Sequence, residues 1–300
     1  MSMIDDKIPD ALPRRRFDWE FFSCMPLAAR IGLGIILLNV VMVFMAIFGL
    51  TPYGETEIFR DLGNWAPPSA EHWLGSDQIG RDMLSRIIYG AATTIGIALS
   101  ATLLSFTMGI LMGFTAAVMG GLADNVLSRI VDALMAIPTL ILALVVISVL
   151  GTEIYILVLV IAVLDSTRVF RLSRAIAMDV AVMEFVEAAR LRGEGLWWIM
   201  RREILPNTIM PLIAEFGLRF SFAFLFIAAL SFLGLGVQPP HADWGGMVRE
   251  NSQVISYGIA APLYPAAAIA LLTIGVNLVV DYILARQNRS AAAAFEEQEL

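Results

Sequence analysis

The stretch Met183–Asn207, MEFVEAARLRGEGLWWIMRREILPN, is a charged amphipathic island between two long apolar runs. Val182, Phe185, Val186 and Ala189 recur at i, i+3, i+4 and i+7, which predicts an apolar stripe along one side of a short helix. Glu184, Glu187 and Arg190 lie largely off that stripe. Gly193 and Gly195 permit a tight turn, after which a second short helix over Trp197–Ile204 folds back towards Pro206, where the next apolar run begins. Ala188 and Ala189 are small enough for close approach by another protein, and Glu187 can accept hydrogen bonds from it. Two readings fit: a docking helix for a partner's groove, or a surface connector with Trp197 and Trp198 as interfacial anchors.

Outward from the island the chain is 58% hydrophobic and 16% charged, with a mean hydropathy of +0.77, beyond the roughly 45–50% apolar content of soluble domains. At about 20 apolar residues per crossing, spans are expected over Ala28–Leu50, Ala91–Met119, Leu127–Leu150, Ile154–Phe170, Ile209–Gly236 and Ala260–Ala285. The organisation expected is a tail over 1–27, a first span over 28–50, an external segment over 51–90, a five-helix core over 91–285 containing a cytoplasmic loop over 171–208, and a tail over 286–300. Arg14, Arg15 and Arg16 precede a run too long for a signal-peptide core, so the first span stays as an anchor. With both termini and the island cytoplasmic, only Arg60, Arg81, Arg86 and Arg249 fall outside, as the positive-inside rule requires. The external segment predicts a short amphipathic helix over Asp82–Tyr89 lying along the membrane surface. External acids outnumber external bases, which fits ordinary solvation or a basic partner.

Several function classes are excluded. A net charge of −7 argues against nucleic-acid binding. Cys24 is the single cysteine and reads as a packing residue, while His72 and His241 lack HExxH spacing, so no metal site is expected. No GxSxG occurs. The only lysine is Lys7, so no Walker A loop and no bound cofactor are expected in this chain. Ionisable residues inside spans commonly face protein or water. Glu215 and Arg219 share a helical face at i, i+4, and Asp165 pairs with Arg168 at i, i+3; both fit either a translocation path or a structural pair. Asp132 is expected to pair with Arg129. Gly109, Gly113, Gly120 and Gly121 predict close helix packing, Pro138 a kink, and Ser166, Thr167 and Asn277 bonds between helices. An ion-coupled secondary transporter built on these charges is the alternative function.

Glu187-Ala188-Ala189-x3-Gly193 followed by Ile204-Leu205-Pro206 resembles the EAA motif by which binding-protein-dependent ABC-importer permeases grip their ATPases. The resemblance extends to His72-Trp73-Leu74-Gly75-Ser76-Asp77-Gln78-Ile79-Gly80-Arg81-Asp82, to Arg129-x2-Asp132 with Ile137-Pro138-Thr139, and to Leu230-Ser231-Phe232-Leu233-Gly234-Leu235-Gly236 with Asp243-Trp244-Gly245. Together these blocks span roughly residues 28 to 285 and resemble the C-type permeases of the dipeptide, oligopeptide and nickel importers. The resemblance implies an all-α membrane protein of the type I importer permease fold, with six transmembrane helices and both termini inside, in a prokaryotic inner membrane. It implies half of a translocation pathway for peptides or related small solutes. The partners implied are a second homologous permease, two ATPase subunits carrying ATP and Mg²⁺, an external or periplasmic solute-binding protein, and the lipid bilayer. ATPase coupling is assigned by the same likeness to Glu187, Ala188, Ala189, Gly193, Leu205 and Pro206, with Glu215, Arg219 and Asp165 as translocation-path candidates. Where the family carries Gly-Asp and then Arg-Asp after the last span, this chain has Val280-Asp281 and Leu284-Ala285, and Ile227 replaces a polar residue. Peptide, nickel, glutathione and opine remain open as substrates.

Overall fold

The computed structural model describes residues 25–298, with side chains through Arg286. Lys7, the arginine triplet and Cys24 lie outside the described residues. The α-helices follow in the order α1 (Leu27–Ile47), α2 (Met83–Met119), α3 (Gly121–Met135), α4 (Thr139–Leu150), α5 (Ile154–Ala181), α6 (Glu184–Leu191), α7 (Leu196–Ile199), α8 (Leu205–Phe232), α9 (Trp244–Asn251) and α10 (Leu263–Gln298). Among the described residues, four helical runs are long and apolar enough to cross a membrane: Leu27–Ile47, Met83–Met119, Leu196–Phe232 and Leu263–Arg286. α3 and α4 form a fifth only if taken as one span, bent by 86°. α5 has 28 residues, about 42 Å of helix, but Asp165, Arg168 and Arg171 interrupt its apolar run.

Three expectations are corrected. Leu127–Leu150 is not one continuous helix: Pro138 cannot donate to the helix ladder, and the chain bends by 86° between α3 and α4. The 12-residue α4 reaches only about 18 Å. Asp82–Tyr89 is not a separate surface helix. The Asp82 carboxylate caps α2 by accepting from the Ser85 amide at 2.7 Å, and Met83, Arg86, Ile87 and Ile88 are buried, so these two turns are the start of α2 itself. Gly120 and Gly121, at φ +60° and +54°, do not pack helices; they reverse the chain from α2 into α3.

Gly109 and Gly113 do make the close approach. A Cβ on Gly109 would stand 2.5 Å from Val169 Cβ, and one on Gly113 would stand 2.2 Å from Ser173 Oγ. The α2 and α5 backbones therefore touch, and the Ser173 hydroxyl donates to the Gly109 carbonyl at 3.0 Å. Ser166 and Thr167 bond instead within their own helix, to Val163 and Leu164 carbonyls. Asn277 does link helices, accepting from the Ser221 hydroxyl at 3.3 Å. Asp132 pairs with Arg171 of α5 at 2.6 Å rather than with Arg129.

Residues 51–82 lie at the end of the molecule where α2 begins. They fold into a cap against α9. Asp77, fully buried, is gripped by Arg81 Nε at 2.6 Å and by Arg86, and both arginines also reach Glu250 of α9, at 3.1 and 2.9 Å. His72 Nδ1 meets Asp82 at 2.9 Å, Trp65 Nε1 donates to Asn251 at 3.0 Å, and the Ala242 amide donates to Glu55. Thus Asp77, Asp82 and Asp243, expected to be solvated, are buried structural acids. Trp244, also fully buried, wedges between α2 and α8, donating to the Ile87 carbonyl at 2.9 Å and meeting Phe224 edge to face.

Burial pushes the Asp77 carboxyl up, but the Arg81 and Ile79 amides and the Arg86 and Arg81 charges outweigh it and hold it below the ordinary range. A carboxyl held low stabilises the fold above its unfolded value of about 4, and that stabilisation is lost as pH falls through the folded value. Asp243 has the opposite sign: burial raises it against the Gly246 amide and Thr94 hydroxyl, so its contribution is lost as pH rises through the folded value. Asp77→Asn is expected to destabilise the detergent-purified protein by about 3–5 kcal/mol at neutral pH, because Arg81 and Arg86 stay buried with Glu250 as the one carboxylate left to both. Its melting midpoint should also fall less steeply than the wild-type midpoint as pH drops below about 4. Equal midpoints at neutral pH contradict this.

Candidate functional site

The island is assembled by local chemistry. α6 opens with Glu184 and Glu187 and closes with Arg190, charges that complement the helix dipole. It ends in a Schellman turn: the Gly193 amide donates to the Arg190 carbonyl at 2.9 Å and the Glu194 amide to the Ala189 carbonyl at 3.2 Å. Gly193 sits at φ +82° with open space where a Cβ would be, so glycine is needed for the backbone and not for packing.

After the turn, α7 passes through a π-helical stretch, Met200–Ile204, directly into α8. Pro206 explains this widening, because it has no N–H for the Arg202 carbonyl. Asn207 Nδ2 donates to the Glu203 carbonyl at 2.6 Å and the Thr208 hydroxyl to the Ile204 carbonyl at 3.0 Å, satisfying groups the ladder leaves.

The predicted stripe is only half correct. Val186 and Ala189 are fully buried in a cluster with Phe114, Ala177 and Ile204, whereas Val182 is 84% exposed and Phe185 38%. Val182 lies beyond the end of α5 and before α6 begins, so helical periodicity does not carry through it. Ala189 therefore faces the protein's own core and is not available to another molecule. Leu205 is likewise half-buried against that cluster. Glu187, Ala188, Gly193 and Pro206 are exposed. Leu191, three residues after Ala188 and four after Glu187 on the same helix, is a strongly exposed apolar side chain, as is Trp197 after the turn. Ile204 and Met200 anchor the return helix from beneath, both buried.

The three path candidates converge. Arg219 Nε donates to Glu215 at 2.6 Å within α8, and its Nη1 stands 3.6 Å from Asp165 Oδ1 of α5. Arg168 reaches the same oxygen at 3.9 Å. The expected pairs are thus one four-charge cluster bridging two helices. Ser105 of α2 adds a donor to Asp165 at 3.4 Å, and Phe222 lies under both guanidinium groups, 4.4 Å from Arg168 and 5.7 Å from Arg219. Neither Ser105 nor Phe222 was legible as a partner, since nothing in the sequence gives the rotation of α2 and α8 about α5. Among the described residues, no group of three or more His, Cys, Asp or Glu side chains could hold a metal ion.

Residues 105–292 match the family described as the binding-protein-dependent transport system inner membrane component. The chain is 37% identical, over 83% of its length and 85% of the relative's, to the di/tripeptide transport system permease protein DppC of Pseudomonas aeruginosa. It is 34% identical to the glutathione transport system permease protein GsiD of Pectobacterium atrosepticum, over 90% of this chain and 88% of that one. It is 36% identical to the probable D,D-dipeptide transport system permease protein DdpC of Escherichia coli, over 72% and 73%.

The two neighbouring alanines separate fold from contact. Ala189→Leu is expected to cost about 1–3 kcal/mol by overpacking the buried cluster and to lower the yield of folded protein on size-exclusion chromatography. Ala188→Leu should elute as wild type. Similar behaviour of the two variants contradicts the placement of α6.

Proposed function

The chain belongs to the inner-membrane components of binding-protein-dependent transport systems, among their peptide permeases, and from that premise we propose that the exposed side of α6 is where ATPase partners dock. The protein is a multi-pass permease subunit of a binding-protein-dependent ABC importer in the inner membrane. The observation that carries the docking reading is the asymmetry of the island. One side of α6 is sealed into the core by Val186 and Ala189, and the other presents Glu187 and Ala188 with exposed Leu191 one turn on. A helix so held can pass movement inward, because Val186 and Ala189 share a buried cluster with Phe114 of α2, Ala177 of α5 and Leu212 of α8.

In this reading the island faces the cytoplasm. ATP and Mg²⁺ are held by two separate ATPase subunits, since Lys7 is the only lysine here and no Walker A loop can form. The chain itself is non-catalytic. A second, homologous permease completes the pathway, and a periplasmic binding protein delivers the solute to the cap. Short peptides are the substrate class, as the names of the similar permeases suggest. Movement enters as a difference in docking free energy between inward- and outward-facing states, because contact of equal strength in both shifts nothing.

Glu187→Ala removes the exposed acceptor, and Gly193→Val forces a β-branched residue to positive φ at a cost of about 1–2 kcal/mol. With candidate ATPases coexpressed, each is expected to insert normally and to lower uptake and ATPase co-purification by about tenfold, equivalent to roughly 1.4 kcal/mol of docking. Unchanged co-purification and uptake in both variants contradict the assignment.

A further inference from the structure

We propose that the cleft between α4, α5 and α8 is a transit site for the ammonium group of a zwitterionic solute, with Asp165 as its acceptor. The proposal rests on the reading that this subunit conducts peptides, and it names which end of the peptide this chain holds. Asp165 is 4% exposed, and its Oδ1 has no hydrogen-bond partner. The two guanidinium groups nearest that oxygen stand at 3.6 and 3.9 Å, close enough to balance its charge and too far to bond it. Oδ2 receives only the long 3.4 Å contact from Ser105. A buried carboxylate oxygen short of a donor is costly, and Asp165 is a lining residue of a cleft with Thr139, Phe222 and Phe226.

The size and the lining select the ligand. The open volume is about 10 Å³, room for one group of water size. An ammonium group fits that volume, supplies the missing N–H donor and is attracted by aromatic faces. A metal ion does not suit the site, because six or more oxygen ligands are wanted and two guanidinium groups lie beside the only carboxylate in the cleft. The cluster of Asp165, Glu215, Arg168 and Arg219 is formally neutral, with acid and base side by side, the pattern that a solute carrying both charges matches. Arg168, partly exposed and resting on Phe222, is placed to meet the carboxylate that follows. Asp165 lies about 16 Å along α5 from Ile154, the first charge to interrupt the apolar run of that helix, and an ionisable residue on such a helix commonly faces protein or water.

The test places a thiol at the rim through Thr139→Cys, in a Cys24→Ser background, within the assembled transporter. Methanethiosulfonate reagents bearing an ammonium or a sulfonate are compared. The ammonium reagent is expected to react at least about fivefold faster, a preference of roughly 1 kcal/mol. Asp165→Asn should bring the two rates within about twofold of each other. Trialanine should slow labelling in the Asp165 parent. Equal rates, a faster sulfonate, no reaction with either reagent, or a preference that survives Asp165→Asn each overturns the ammonium site. Uptake of trialanine by the parent transporter is measured beside it. Absence of uptake overturns the peptide reading and the transit role with it, while uptake without the labelling preference overturns the ammonium site alone.

Discussion

Two positions without a side chain, Gly109 and Gly113, let the α2 and α5 backbones meet, and most other features are hung on that contact. Any larger residue there would have to displace Val169, Ser173 or the α5 backbone. α2 then serves as a common spine. Near its start, Arg86 anchors the cap through Asp77 and Glu250, and Thr94 holds the Asp243 carboxylate that caps α9. Midway, Ser105 reaches Asp165. At its far end, Phe114 packs over Val186 and Ala189 of α6, and Arg190 donates to the Val118 carbonyl. Cap, charge cluster and docking helix are therefore all referenced to one rod.

The two charge networks solve different problems. In the cap, Asp77, Arg81, Arg86 and Glu250 are joined by short bonds, as expected where buried charges must be paired to be tolerated, with Arg86 Nε left without a partner. In the middle of the helices, Asp165 is neutralised by two arginines at distances beyond bonding. One network fixes geometry; the other is left with an open coordination position. α5 and α8, which carry the second network, also share the buried cluster of α6 through Ala177 and Leu212, so displacement of α6 bears on both.

How much was legible in the sequence follows from which forces act locally. The apolar runs, the glycine turn at Gly193 and the proline that opens α8 are local and were readable, as was the family resemblance of the whole. The break at Pro138 was anticipated only as a kink, because the size of a bend is set by what packs on either side, here the ties from Asp124 and Asp132 of α3 to Arg174 and Arg171 of α5. The cap was missed for the same reason: Asp77 and Glu250 are far apart in the chain, and only the fold brings Arg81 and Arg86 between them. Ala188 and Ala189 look equivalent as residues. The helix rotation, fixed by Val186, buries one and presents the other.

The central claim is that α6 receives movement from an ATPase through its exposed side. The most direct measurement is photo-crosslinking from a benzoylphenylalanine placed at Leu191, 84% exposed beside the docking side, with Val149, 78% exposed on α4, as the control. In the assembled transporter, an adduct between this chain and an ATPase subunit is expected from position 191 and not from position 149. No ATPase adduct from 191, or equal adducts from both positions, contradicts the account.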